Sequence, residues 1–469
     1  MKERIILFTI VFGLGIFLYI FQSYFNTVWG LALLCLFMFI YALFMNLSYK
    51  FQSRQRQKHP PVINENYKPM VSIMIPAHNE ESVITNTVEN IMNIDYDNFE
   101  VIVIDDRSTD NTSSVIKNLE TKYPNLKALI REKDAFPGKS AVLNDAMKIA
   151  QGEAFLVFDA DATVEPDFLK KLIPHLEPKD VGAVQARKVI RNKNVNLLTR
   201  CQNNEYTFDT HLQAGRDSVK GAVELRGNGE LLKREAVEDI GGWNNYTIVD
   251  DLDMSTRLHI KGWDVRFCPD AIVYEEGIIY LWPLFRQRRR WLEGTIRRYL
   301  EHSGAALRSK DISLRARLDM MAYISEFIMP LWLVMELLIR AFKVLAKDAP
   351  THTLYSSIII GCAIGIAFFI AARYSLRRYD FMPRLDAAFE AVETSIYLLV
   401  IWFPLVLFIC FKILFMKKDM NWGKTAHGLV MEEEASIKAF LKKELQKTKD
   451  YTKEYTERLK QFVAEKGEK

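Results

Sequence analysis

Three short clusters carry the chemistry this sequence can perform. Asp159-Ala160-Asp161 ends the apolar run AFLVFDAD (154–161). Two carboxylates one residue apart are hard oxygen ligands that suit Mg2+ or Mn2+. Such an ion bridges carboxylates to a diphosphate and neutralises charge on a departing nucleotide. VDDLD (249–253) packs Asp250, Asp251 and Asp253 into five residues. Like charges so close favour a polar site, a metal or nearby cations. A carboxylate that stays ionised at neutral pH beside a hydroxyl is a general base. Gln287, Arg290 and Trp291 stand at i, i+3 and i+4 in FRQRRRWLEG (285–294), so one helical face carries all three. An amide, a guanidinium and an indole together bind a diphosphate and flank a sugar. Arg286, Arg288 and Arg289 fall on other faces and are expected to meet lipid headgroups.

Two glycine-containing segments look like nucleotide loops and are not. PGKS (137–140) would need a glycine at 133 to be a P-loop, and 133 is Lys133. Lys139 remains available to a phosphate. LRGNGELL (225–232) lacks the third glycine and the strand-to-helix setting of a dinucleotide fingerprint. Gly227, Asn228 and Gly229 are read either as a tight turn or as backbone lying close against a bound sugar or acceptor. By the same measure VDDLD is also readable as a plain acidic loop, and Lys139 as a surface lysine at a helix start.

The elements that must position these groups alternate. VSIMIPA (71–77), FEVIVIDD (99–106), KALI (127–130) and AFLVFDAD (154–161) read as strands, and 81–93, 110–122 and 139–150 as helices. Continuous apolar strands between helices predict a parallel sheet covered on both faces. Ligands bind such sheets beyond the carboxyl ends of the strands, where Asp105, Asp106, Asp159 and Asp161 fall.

The 469 residues and formal net charge of +4 suit a soluble domain joined to a membrane part, and the charge is too small to argue for nucleic acid binding. Residues 5–22 and 28–48, and most of 321–342, 355–372 and 394–414, are apolar runs near the length that crosses a bilayer. The first is not a signal peptide, because no small-residue cleavage site follows it and a second apolar run does. The five cysteines have no CxxC spacing and predict neither a disulfide framework nor a zinc site. Lys2 and Arg4 before the first run, and Lys50, Arg54, Arg56 and Lys58 after the second, place both ends of the hairpin and the soluble domain in the cytoplasm. Glu326, Glu336 and Pro330 make 321–342 costly in lipid, so that run is expected to lie along the interface or re-enter, leaving two C-terminal spans and a cytoplasmic tail. The expected divisions are a hairpin at 1–48, a linker at 49–69, the α/β domain at 70–279, amphipathic interface helices at 280–320, a membrane region at 321–415 and a charged tail at 416–469. The tail reads as a solvated helix, or as the seat of an accessory subunit.

PAHNEE, VIDDRSTDNT, GKSAVLN, FDADA, a second acidic cluster and Q-x-x-R-W occur in the order that resembles the inverting, membrane-embedded family 2 glycosyltransferases. The resemblance implies a GT-A fold, a Rossmann-like mixed and mostly parallel sheet inserted between N-terminal and C-terminal transmembrane helices of a bacterial cytoplasmic membrane. It implies a UDP-sugar donor, a divalent metal (Mg2+ or Mn2+) and an acceptor that is a membrane lipid or a growing glycan. By matching motif, Pro76, Ala77, Asn79, Glu80, Asp105, Asp106, Lys139, Asp159, Ala160, Asp161, Gln287, Arg290 and Trp291 lie along the nucleotide sugar, with Asp159 and Asp161 at the metal. Asp251 matches the catalytic base at the end of the family's T-E-D. Gly227, Asn228, Gly229, Asp250 and Trp291 lie toward the acceptor. VGAVQARKVIRNKN, GELLKREAVEDIGGWN, DDLDMSTRLH, EEG and W-x-E-G-x-x-x-R-Y-L look most like the bacterial β-monoglucosyldiacylglycerol synthases. Q-x-x-R-W and NWGKT (421–425) pull toward the processive synthases of poly-N-acetylglucosamine, hyaluronan and cellulose. Val249 stands where those families carry threonine.

Overall fold

The structure, a computed structural model, describes residues 2–22, 24, 28–59, 64–350 and 353–416. Pro60, Pro61, NWGKT and the charged tail lie outside the described residues. The N-terminal hairpin is α1 (Lys2–Phe21) and α2 (Val28–Lys58). β1 (Val71–Ala77), α3 (Ile84–Ile91), β2 (Phe99–Asp105), α4 (Thr112–Lys122), β3 (Leu126–Ile130), α5 (Lys139–Ile149) and β4 (Ala154–Val157) then alternate as expected. They are followed by β5 (Thr163–Val164), α6 (Phe168–Leu172), β6 (Val181–Ile190), α7 (Leu197–Ser218), β7 (Glu230–Lys233), α8 (Arg234–Asp239), α9 (Asp250–Ile260) and β8 (Asp264–Glu275). Four long helices close the described chain: α10 (Leu281–Arg308), α11 (Leu314–Leu345), α12 (Thr353–Tyr379) and α13 (Arg384–Phe415).

One eight-stranded sheet runs β3-β2-β1-β4-β7-β6-β8-β5. β1 pairs in parallel with β2 and β4, β2 with β3, and β6 with β8. β7 is antiparallel to both β4 and β6, and β5 to β8. The strands read as unbroken apolar runs because both faces are buried. Val71, Ile73 and Ile75 of β1 join one core cluster and Met74 the other, following the two-residue alternation of a strand. β4 stops at Val157, so Asp159 and Asp161 stand on the loop beyond its carboxyl end rather than in the strand.

Among the described residues four helices are long and apolar enough to cross a membrane: α1, α2, α12 and α13. The expected linker at 49–69 is shorter than anticipated, because α2 runs ten residues past 48. Its last turns are held by α7, where Ser48 Oγ donates to Ser218 O at 3.2 Å and Gly215 packs under Met45. The run at 321–342 contains no re-entrant turn. It belongs to the single helix α11, which lies antiparallel to α2: Tyr41 meets Asp319, Met38 meets Ser325, and Gly30 faces Trp332. Of the groups that argued against this course, Glu336 is paired with Arg340 at 2.7 Å; just before the run, Asp319 is paired with Arg216 at 2.7 Å.

Candidate active site

Lys139 opens α5 at the carboxyl end of the sheet and ties two predicted segments together. Its ammonium donates to Asp159 Oδ1 and to Gly227 O, each at 2.7 Å. Burial alone would lower its pKa, but Asp159, Asp250 and Glu230 outweigh that and hold it charged. Asp161 Oδ2 accepts from Glu276 N at 3.1 Å. Asn228 is fully buried, and its Oδ1 accepts from Asp159 N at 3.2 Å. The turn at 227–229 is therefore a structural part of the carboxylate loop. Gly227 and Gly229 have φ of +79° and +70°, and a Cβ on Gly227 would stand 3.1 Å from Asp251 Oδ2.

Asp251 sits in the first turn of α9, where its Oδ1 accepts from Leu252 N at 2.8 Å. Burial, with Asp250 beside it, pushes its carboxyl above the ordinary range, while Lys139 and Arg226 oppose the shift. Glu230, one residue past the glycine turn, is also buried; Gly227 N donates to it, and burial and the Asp251 charge push it up as well. Asp253 is different. Arg257 at 2.6 Å and His302 at 2.8 Å overcome its burial and hold it low, so it anchors α9 rather than serving the site.

Gln287, Arg290 and Trp291 all reach the same cavity as Asp159 and Asp251. Arg288 departs from expectation. It is completely buried, ion-paired with Glu205 of α7 at 2.8 Å, and stacked 4.2 Å from the Trp291 ring. Tyr397 and Trp402 of α13 also donate to Glu205, each at 2.9 Å. This arginine faces protein and not headgroups, because Glu205 of α7, itself held by Tyr397 and Trp402 of α13, receives it. Behind it, Gly294 lets α10 lie directly against Val249.

Of the other expected donor residues, Pro76 and Glu80 line the cavity with Ala160. Ala77, Asn79, Asp105 and Asp106 do not, and the three polar side chains are engaged elsewhere. Asp105 accepts from Ser108 and Ser113, and Asp106 pairs with Arg131 at 2.6 Å and Arg107 at 2.9 Å. Asn79, at φ 56°, accepts from Thr109 N at 2.7 Å. These groups shape the β1 and β2 loops. The sequence reading missed Lys188, Tyr206, Glu230 and Glu275. Lys188 pairs with Glu275 at 2.9 Å and stands 5.6 Å over the Trp291 ring. Tyr206 donates to the same glutamate. The signal for Lys188 and Glu275 was present in the ARKV and EEG segments but carried no spacing rule.

The cavity has a volume of about 1740 Å³. One limb holds the carboxylates, Lys139, Lys188 and the α10 triplet. The other runs between α2, α11, α12 and α13, past Phe39, Leu43, Leu333, Ile364, Phe368 and Leu399. Among the described residues no cluster of three or more His, Cys, Asp or Glu side chains could hold a metal. Asp159 and Asp161 supply two hard ligands, which fits a divalent ion that draws its remaining ligands from a bound diphosphate.

Comparison with known proteins bears on the family and the fold. The family described as "Glycosyltransferase like family 2" matches residues 69–294. A β-monoglucosyldiacylglycerol synthase of Synechocystis sp. is 34% identical over 377 residues, covering 79% of this chain and 77% of its own. A poly-β-1,6-N-acetyl-D-glucosamine synthase of Staphylococcus epidermidis is 28% identical over 251 residues, 52% of this chain and 59% of its own. A mannosyltransferase from Pyrobaculum calidifontis, solved in complex with GDP-Man and Mn2+, superposes with a TM-score of 0.55 at 21% identity, covering 78% of this chain and 99% of its own. That likeness shows the fold, the mixed GT-A sheet expected above.

Proposed function

The chain belongs to the family 2 glycosyltransferases, and from that membership we propose that it moves a hexose, glucose first, from a UDP-sugar to the free hydroxyl of diacylglycerol with inversion to a β-linkage. The observation that supports a lipid acceptor is the continuity of the cavity. The limb that leaves the carboxylates is walled by aliphatic and aromatic side chains of membrane-type helices. Acyl chains passing from the bilayer to such walls stay in apolar surroundings, whereas a glycan hydroxyl there would lose its hydrogen bonds.

Asp251 is the base in this scheme. It takes the proton from the acceptor hydroxyl as that oxygen attacks the anomeric carbon, and the bond to UDP breaks on the opposite face. Asp159 and Asp161 would hold Mg2+ or Mn2+, which when bound neutralises the diphosphate. Lys139 and Lys188 add fixed positive charge beside them, and Arg290 offers a planar two-pronged contact to phosphate. Trp291, held by stacked Arg288, closes the site over the sugar. The catalytic domain faces the cytoplasm of a bacterial membrane in this reading, supported by the Lys and Arg residues at the domain end of α2.

The alternative is a processive β-polysaccharide synthase, favoured by Q-x-x-R-W and by the likeness to the poly-N-acetylglucosamine synthase. Purified protein with labelled UDP-glucose or UDP-N-acetylglucosamine, with and without diacylglycerol, decides between them. A single lipid-linked sugar that appears only with diacylglycerol supports the proposal. A high-molecular-weight product formed without added lipid would sink it.

A further inference from the structure

One polar station interrupts the cavity where it leaves the carboxylates for its apolar walls. Asn46 and Lys50 of α2, one helical turn apart, His211 of α7 and Tyr374 of α12 all line it. Further along the same two helices the lining turns apolar, at Phe39 and Leu43 on α2 and at Ile364 and Phe368 on α12. The station therefore marks the boundary between the hydrocarbon-like limb and the polar limb.

Its donors are not used up within the protein. Asn46 Nδ2 lies 3.2 Å from His211 Nε2. Burial, with Arg378 and Lys50 nearby, pushes the His211 pKa down to about 4, so the ring is neutral at physiological pH. A neutral imidazole accepts at Nε2 and turns the Asn46 amide nitrogen toward the ring, which leaves the second N–H of that amide for a ligand. Lys50 Nζ stands 5.0 Å over the Tyr374 ring, and among the described residues it has no carboxylate partner. Asn46 and Lys50 thus turn N–H donors to the cavity with few acceptors among the described residues, so the station suits a ligand that accepts and does not need to donate.

Ester carbonyls meet that requirement, and in an amphipathic lipid they lie at the same boundary between hydrocarbon and polar surroundings. We propose that Asn46, Lys50, His211 and Tyr374 form a subsite for the ester groups of a diacylglycerol-type acceptor. The acyl chains then lie in the apolar limb and the glycerol hydroxyl is held toward Asp251. This inference rests on the lipid-acceptor reading given above.

The test compares a diacylglycerol with the dialkyl ether glycerol of equal chain length, in nanodiscs with UDP-glucose. Wild-type protein should favour the ester in kcat/KM by roughly three- to tenfold for each donor engaged. Asn46→Leu and Lys50→Met should lower use of the ester to the ether level. Both should leave use of the ether and the KM for UDP-glucose unchanged. Equal use of the two lipids by wild-type protein overturns the subsite without any variant, and so does an equal loss on both lipids in the variants; in either case the lipid-acceptor reading stands. A polymer with no lipid product overturns that reading and the subsite together.

Discussion

Gly294 presses directly on Val249: a Cβ at 294 would stand only 2.4 Å from Val249 Cγ1. The contact sets the helix carrying Gln287, Arg290 and Trp291 on the residue that precedes Asp250 and Asp251. Gly294→Ala must force α10 away from the start of α9, and overpacking of this kind typically costs ~1–3 kcal/mol. Thermal unfolding and initial rates should both show a loss, and Val249→Ala in the same chain should restore much of it. A Gly294→Ala protein with unchanged Tm and kcat would show that the two helices are free to separate.

Asp251→Asn is expected to keep UDP-sugar affinity, measured by calorimetry, and to lose ~10²–10⁴-fold in kcat, the usual worth of general-base catalysis. The acid limb of the rate profile carries a second signature. Burial and Asp250 raise the Asp251 pKa, so activity should fall at a pH above the ordinary carboxylate range. Asp250→Asn removes a neighbouring negative charge and makes ionisation easier, so the limb should move to lower pH. A limb that stays in place in Asp250→Asn would mean another group controls it.

Chelation should abolish turnover, and Mg2+ or Mn2+ should restore it. UDP binding should weaken sharply in EDTA and in Asp159→Asn. Lys139→Met should lower kcat more modestly, because it removes one cation from the 2.7 Å contact with Asp159 and leaves both carboxylates in place. Full turnover in EDTA would remove the metal from the scheme.

The arginines of α10 should separate by position rather than charge. Arg290→Lys loses the planar fork, and Trp291→Phe loses the indole N–H; each is expected to cost activity while Tm holds. Arg288→Ala should instead lower Tm, since breaking a buried ion pair commonly costs ~3–5 kcal/mol, here lessened by Tyr397 and Trp402 on the same glutamate. Uniform losses across all three, recovered by anionic lipid, would return the segment to a simple membrane anchor.

Much of the sheet was legible because it is made locally. β1 and β2 were visible as continuous apolar runs, and α4 and α5 fell within a residue or two of their expected bounds. Asp159, Asp161 and the α10 triplet could be placed too, since a strand end and a helical face follow from spacing alone, whereas Asp251 was singled out from its acidic cluster by the resemblance to the family's T-E-D. α7 was not. LLTRCQNNEYTFDTHLQAGRDS has no apolar stripe, yet Gln202, Asn203, Asn204, Gln213 and Arg216 are buried. A polar side chain is admitted to an interior only by partners, and these partners come from far along the chain: Thr394 for Asn204, Ile278 for Gln202, Asp319 for Arg216. The same reason hid Arg288, whose burial depends on Glu205, and Glu230, whose raised pKa depends on its burial and on Asp251. The sequence by itself determined which residues stand at strand ends and on helix faces, because those positions follow from periods of two and 3.6. Only the tertiary structure decided which charges lie inside, because burying a charge depends on a partner that no local pattern encodes.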